Sequence, residues 1–92
     1  MSEFLYRVDD VFDLSGRCVV ATPGIPSKTP GIRNGTPLEL RRPDGSILQT
    51  QIADIAFVDP YDPERPIQFS FPPELKKHDI PIGTEVWKRE EN

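Results

Sequence analysis

The sequence predicts one small all-β domain, a closed six-stranded antiparallel β-barrel, from three observations. The chain has 92 residues, the size of a single domain with one core. Its 11 prolines disfavour long helices, because a proline inside a helix costs about 3 kcal/mol. Short runs of alternating apolar and polar residues are separated by turn residues along the chain. Since closure removes free sheet edges, these strands favour a barrel over residues 4–88, followed by a charged tail at 89–92.

The predicted strands follow from the alternation and the turns between them. Apolar residues alternate from Phe4 to Val8, and the phase is disturbed near Asp9, which predicts a bulge or bend there. A Ser-Gly turn at 15–16 and a Pro-Asp-Gly-Ser turn at 43–46 each join two strands into a hairpin. The predicted strands are 4–14, 17–22, 37–42, 47–58, 67–71 and 84–88, with one helical turn at 74–78.

The inward-facing apolar residues of these strands form the predicted core. Phe69 and Phe71 show the cleanest alternation and are predicted to point inward. Tyr6 and Trp87 are expected in the core or at the rim of the barrel rather than as a stacking platform for bases. The remaining predicted core residues are Val11, Phe12, Val20, Leu38, Leu40, Ile52, Ile55, Leu75, Ile80 and Val86.

A long loop from Pro23 to Gly35 interrupts the strands, because its thirteen residues include three prolines and three glycines. Loops of this length in so small a domain are often binding loops, and two basic side chains make this one locally basic. The first strand of the second hairpin ends with two arginines, and the acidic loop 59–66 is expected to expose a tyrosine. The candidate partner-binding residues are Lys28, Arg33, Arg41, Arg42 and Tyr61.

Three segments resemble a known domain. Asp10 to Thr22 (DVFDLSGRCVVAT) resembles the opening hairpin of the second domain of translational GTPases such as elongation factor Tu. The likeness continues in Gly31 to Leu40 (GIRNGTPLEL) and ends in Glu74 to Trp87 (ELKKHDIPIGTEVW), so that it spans about residues 4–87 in the family's order. The resemblance implies a closed barrel of that type, a binding rather than a catalytic role, and a protein, RNA or ribosomal partner.

The sequence also departs from the family. Cys18 and Pro23 stand where the family has glycines, and Asn34 stands where it has an apolar residue. In elongation factor Tu this domain uses acidic residues to help hold the aminoacylated end of tRNA. The corresponding loop offers Ile-Pro-Ser at 25–27, so that site is not carried over to this chain.

Composition and motifs exclude several classes of function. The net charge of -4 argues against affinity based on neutralising phosphates, and no GxxxxGK[ST] loop is present to bind a nucleotide. The start, MSEFLYRVDD, lacks the features of a signal peptide, and no apolar run is long enough to span a membrane. Cys18 is the only cysteine, so no intramolecular disulfide can form and no CxxC metal pattern exists. We therefore expect a soluble cytoplasmic protein without metal or other cofactor.

Three hypotheses for function remain. The first is a non-enzymatic binding or adaptor module, with a protein, RNA or ribosomal partner. The second is a structural protein that self-associates through Phe71 and Trp87. The third is a small enzyme built on Cys18 or His78, which we disfavour because a catalytic histidine needs a nucleophile and an orienting partner that the sequence does not show. The identity of the partner and the oligomeric state stay open.

Overall fold

The computed structural model describes residues 2–14, 18–56 and 64–89, and it confirms the predicted all-β class. The predicted turn at 15–16, Tyr61 and most of the acidic loop lie outside the described residues. The described strands are β1 (Glu3–Arg7), β2 (Asp10–Leu14), β3 (Cys18–Thr22), β4 (Pro37–Arg41), β5 (Ile47–Gln51), β6 (Asp54–Ala56), β7 (Gln68–Ser70) and β8 (Glu85–Lys88). The predicted helical turn is a 3₁₀ helix at Lys77–Asp79.

The strands form three antiparallel sheets. The largest has the order β1-β8-β4-β5, while β2 pairs with β3 and β6 pairs with β7. These sheets are open, so the closure of the predicted barrel stays a prediction. The predicted single strand at 47–58 is divided into β5 and β6, and the predicted first strand is divided into β1 and β2.

The short segment between β1 and β2 is hydrogen-bonded to two sheets. The Val8 N–H donates to the carbonyl oxygen of Thr84 at 2.8 Å, which extends the pairing of β1 with β8. The next residue, Asp9, donates its N–H to the carbonyl oxygen of Thr22 at 2.9 Å, which extends the pairing of β2 with β3. The chain therefore passes from one sheet to the other between two neighbouring residues.

The segment between β5 and β6 makes the same kind of passage. The Ile52 N–H donates to the carbonyl oxygen of Thr36 at 3.0 Å, on the side of β4. The Ala53 N–H donates to the carbonyl oxygen of Ser70 at 3.0 Å, on the side of β7. The four-stranded sheet and the β6–β7 pair are thus joined through one bent segment.

The ends of β3 and β7 are also connected. Ile25 and Ile67 exchange two backbone hydrogen bonds of 3.0 and 2.7 Å and form an isolated bridge. The Phe71 N–H donates to the carbonyl oxygen of Val19 at 3.0 Å. These bonds hold the hairpin of β2 and β3 against β7.

A bulge in β1 decides which of its residues face the core. The register with β8 shifts between Phe4 and Tyr6, which leaves Leu5 as the extra residue. Leu5 and Tyr6 are therefore both buried, whereas Phe4 and Arg7 lie on the outer face of the sheet. The bend that the sequence predicts near Asp9 is confirmed at the passage between β1 and β2, and the bulge at Leu5 is an additional irregularity that lets two successive apolar residues enter the core.

Most of the predicted core is confirmed, and two residues are corrected. Phe12 is 48% exposed and Val20 is only half-buried, whereas Ile55, also half-buried, packs against the core. The reason for the first two is register: Val11 pairs with Ala21 on the inner face, so Phe12 and Val20 share the outer face. The predicted core residues that are buried are Val11, Leu38, Leu40, Ile52, Phe69, Phe71, Leu75, Ile80 and Val86.

Candidate partner-binding site

The predicted binding residues do not form one patch. Lys28 and Arg33 belong to the loop that precedes β4, whereas Arg41 ends β4 and Arg42 follows it. A strand rises about 3.3 Å per residue, so β4 separates its two ends by about 13 Å. Tyr61 lies outside the described residues. The basic residues therefore offer two separate positions rather than one basic surface.

The long loop is tied to the strands around it. The Asn34 amide donates to Oδ1 of Asp54 at 3.3 Å and accepts the backbone N–H of Ile55 at 2.9 Å. The Lys88 ammonium donates to the carbonyl oxygen of Pro30 at 3.2 Å. Asn34 near the end of the loop is thus hydrogen-bonded to β6, and Lys88 of β8 is hydrogen-bonded to the middle of the loop. This part of the chain is an ordered connection.

Arg42 has a structural partner. Its Nε donates to the carbonyl oxygen of Asp79 at 3.0 Å and so connects the turn after β4 to the 3₁₀ helix. In the same turn the hydroxyl and the backbone N–H of Ser46 donate to Oδ1 of Asp44 at 2.6 and 2.8 Å, and these bonds hold the pKa of Asp44 below its ordinary value. Arg42 therefore has a role in the architecture of the turn, and its role in a binding surface stays a prediction.

Arg41 lies in a different environment, on the outer face of the four-stranded sheet. Its guanidinium carbon is 3.9 Å from the ring centroid of Trp87, and its Nε donates to Oε2 of Glu39 at 2.6 Å. The indole N–H of Trp87 donates to Oε1 of Glu85 at 3.0 Å. The ring of Phe4 meets the indole edge to face, with centroids 5.4 Å apart and planes at 75°. We call these five residues the Trp87 cluster.

The register of the sheet explains why these side chains meet. In β8, Trp87 lies directly between Phe4 of β1 and Glu39 of β4. The other outward position of β8 lies beside Arg41. Directly opposed residues of neighbouring strands share a face and place their side chains in contact. Val86, between the two outward positions, is fully buried, so one strand supplies both the core and the centre of the cluster.

Charges around the cluster are balanced. Arg7 donates through Nη2 to Oε2 of Glu85 at 3.3 Å. The pKa of Glu85 lies below its ordinary value, first because the Trp87 indole N–H stabilises the carboxylate and then because Arg7 and Arg41 do so. With Glu39 paired to Arg41, two cations face two carboxylates. The arrangement provides an aromatic pair surrounded by paired charges, and it contains no nucleophile with a general base.

The sequence predicts only part of this cluster. It indicates Arg41 as a candidate binding residue and predicts Trp87 in the core or at the rim, whereas Trp87 is half-buried on the outer face of the sheet. The sequence pattern does not single out Phe4, Glu39 and Glu85. The available signal was the alternation in β8, because a buried Val86 requires that Trp87 face outward.

The residues behind the two alternative hypotheses are placed as follows. Phe71 is fully buried, so it cannot contribute to the predicted self-association surface with Trp87. Cys18 is half-buried in β3. His78 is exposed on the 3₁₀ helix, where its Nε2 lies 3.6 Å from Oδ1 of Asp79.

No model of a protein family matches the chain, and neither a characterised protein nor a solved structure is significantly similar to it. Within residues 2–14, 18–56 and 64–89, no group of three or more His, Cys, Asp or Glu side chains is placed to hold a metal ion. In the same ranges no helix is long and apolar enough to cross a membrane.

Proposed function

We propose that the chain is a non-enzymatic binding module that takes a protein partner on the Trp87 cluster. The observation that carries this proposal is the contact of Arg41 with the outward-facing indole, next to the exposed ring of Phe4. Trp and Arg are enriched among the residues that contribute most to protein–protein binding, and aromatic residues are enriched in interface cores. The hydrogen bonds to Glu39 and Glu85 hold the arginine and the indole in place before a partner arrives. Binding then orders few side chains.

The same geometry favours a protein partner over RNA. A base that stacks on Trp87 needs an open ring face, and Arg41 already covers one face at 3.9 Å. On the same surface Arg41 and Arg7 are already paired with Glu39 and Glu85, so they offer no unpaired cation to a phosphate group. Single-strand binding also relies on a basic groove, whereas the charges here are paired.

We further propose that the three sheets act as one closed six-stranded barrel of the kind found in the second domain of translational GTPases. Two observations support it. The passages at Val8–Asp9 and Ile52–Ala53 make β1 with β2, and β5 with β6, behave as two long bent strands. The bonds between β3 and β7 then supply the remaining contact around the ring. On this proposal the chain is an adaptor in the cytoplasm, in a setting related to translation.

The experiment compares two exposed phenylalanines. Tagged wild-type chain, Phe4→Ser, Arg41→Ala and the control Phe12→Ser are each incubated with lysate of the source cells, with and without ribonuclease. Phe12 is a matched control because its exposure, 48%, is nearly that of Phe4, 47%. We expect a bound protein that resists ribonuclease, is lost with Phe4→Ser and Arg41→Ala, and is kept with Phe12→Ser.

Three outcomes count against the proposal. One is the absence of any protein whose recovery depends on both Phe4 and Arg41. Another is equal loss with Phe12→Ser, which would show that the capture depends on exposed apolar residues in general. Loss of the partner after ribonuclease would favour the alternative of an RNA or ribosomal partner.

A further inference from the structure

The edge strand β5 carries an inference that goes beyond the proposed function. We infer that two copies of the chain associate by antiparallel pairing of β5 with β5, which joins their four-stranded sheets into one. Within the described residues β5 pairs with β4 alone, so one of its edges has no strand beside it. A free sheet edge presents backbone N–H and C=O groups that an extended strand satisfies.

The hydrogen-bond pattern shows which residues offer these groups. At one end of the pair Arg42 donates its N–H to Ser46, and at the other end Ile52 donates its N–H to Thr36. In an antiparallel pair, residues alternate between hydrogen-bonded and non-hydrogen-bonded positions. Leu48 and Thr50 therefore bond to β4. The residues between and beside them direct their backbone groups to the free edge: Ile47, Gln49 and Gln51.

The edge lacks the features by which sheets usually prevent pairing. Edges are commonly protected by charged residues, proline or bulges. β1, at the opposite edge of the same sheet, has the charged residues Glu3 and Arg7 and the bulge at Leu5. β5 reads ILQTQ, without charge or proline, and its register with β4 is regular.

The inner side of β5 is also incompletely covered. Leu40 and Leu38 of β4 are fully buried, whereas their partners on β5, Leu48 and Thr50, are only half-buried. On the outer face Ile47 is 58% exposed. A strand added beside β5 covers apolar surface on both faces of the sheet, which supplies a hydrophobic contribution in addition to the backbone hydrogen bonds.

The chemistry of β5 fits a second copy of the same strand. Each chain has a net charge of -4, so two copies repel unless they meet at a neutral surface, and β5 is neutral. Pairing about a two-fold axis at Gln49 places Gln49 against Gln49 of the second copy and Ile47 against Gln51. All of these residues direct their backbone groups to the free edge, so each pair exchanges both of its N–H···O bonds. Within β5 no like charges face each other in this register.

Sedimentation velocity of the full chain over a range of concentrations tests the inference. We expect wild-type chain to convert from monomer to dimer below about 1 mM, the weak end of specific association. Gln49→Lys places two like charges on the two-fold axis, and Gln49→Pro removes an outward N–H that β4 does not use. Each variant is expected to raise the dissociation constant by about tenfold or more. Phe12→Lys, the matched control for added charge, is expected to leave it unchanged.

The inference is wrong if wild-type chain stays a monomer throughout this range of concentrations. It is equally wrong if a dimer forms but Gln49→Lys weakens it no more than Phe12→Lys does. Circular dichroism establishes that each variant is folded, and if Gln49→Pro is not, then Gln49→Lys decides. The outcome is independent of the Trp87 cluster, because Phe4→Ser is expected to retain the dimer even where it loses the protein partner.

Discussion

Phe4 and Phe12 are nearly equally exposed, at 47% and 48%, but they belong to two different kinds of surface. On the four-stranded sheet, the ring of Phe4 contacts Trp87, whose indole N–H donates a hydrogen bond to Glu85. On the β2–β3 hairpin, Phe12 lies opposite Val20, and in the described part of the chain no aromatic ring contacts it. Equal exposure of two large apolar side chains therefore does not imply equal surroundings, because the ring of Phe4 is held by a neighbouring aromatic side chain.

The two regions also differ inside. The inward residues of the four-stranded sheet include Leu38, Leu40 and Val86, each fully buried. The inward face of the hairpin has smaller residues such as Val19 and Ala21. Because the cost of a truncation grows with the buried volume removed, the sheet is expected to respond more strongly than the hairpin to substitution.

The largest expected effect is the difference in unfolding free energy between Leu40→Ala and Phe12→Ala. Leu40→Ala should lower the free energy of unfolding by about 2–5 kcal/mol, since it leaves a cavity in a fully buried position. Phe12→Ala should lower it by about 1 kcal/mol or less, because roughly half of the side chain is already in water. Urea unfolding of the two variants measures the difference. Equal losses would show that Phe12 is part of the core, as the sequence alone predicts.

Tyr6 tests how the two regions are coupled. Its hydroxyl donates to the carbonyl oxygen of Ala21 at 3.0 Å and so connects β1 to β3 through the interior. Tyr6→Phe should cost about 1–2 kcal/mol, because a buried carbonyl loses a partner while the ring keeps its packing. Burial raises the pKa of Tyr6 well above its ordinary value of 10.0, so its absorbance should show no ionisation near pH 10 while the chain is folded.

A control for Tyr6 is available at the surface. Arg7→Ala changes the next residue of β1, whose side chain is 68% exposed, and should alter the free energy of unfolding by less than about 1 kcal/mol. If Tyr6→Phe has no larger effect than Arg7→Ala, the hydroxyl does not connect the two regions.

The sequence predicts the sheet better than the hairpin for a physical reason. Clean alternation determines the inward face in two places. In β4 Leu38 and Leu40 flank a glutamate, and at the end of β7 Phe69 and Phe71 flank a serine. In β3, CVVAT contains four successive apolar residues, so the pattern does not determine which pair is inside. Tertiary pairing decides it, through Val11 opposite Ala21.

The candidate site depends on information that is not local in the sequence. Phe4, Arg41 and Trp87 come from three strands far apart in the chain, and only the register of β1-β8-β4 brings them together. The bulge at Leu5 has to be known before Phe4 is assigned to the outer face. The basic residues of the long loop are predicted from local composition, whereas the cluster depends on side-chain contacts between strands.

A smaller effect is expected from removing the arginine of the cluster. Arg41→Ala should lower the free energy of unfolding by about 0.5–1 kcal/mol, the contribution of a cation–π contact at an exposed site. It should also shift the emission of Trp87, the only tryptophan in the chain, because the guanidinium leaves the ring face. Arg42→Ala serves as the control for emission, since that side chain bonds to the carbonyl oxygen of Asp79 instead. An identical emission shift in both variants would contradict the contact.

The smallest effect is a pH dependence within the cluster. The pKa of Glu85 is below its ordinary value of 4.5, so the carboxylate stabilises the folded chain fully above that value and loses this contribution as the pH falls through its folded pKa. Protonation weakens the bond that it accepts from the Trp87 indole, so tryptophan emission should show a step below pH 4.5 while circular dichroism is unchanged. Glu85→Gln keeps an acceptor for the indole and cannot titrate, so the step should disappear. If the step persists in Glu85→Gln, another carboxylate causes it, because in this variant the acceptor of the indole hydrogen bond no longer titrates.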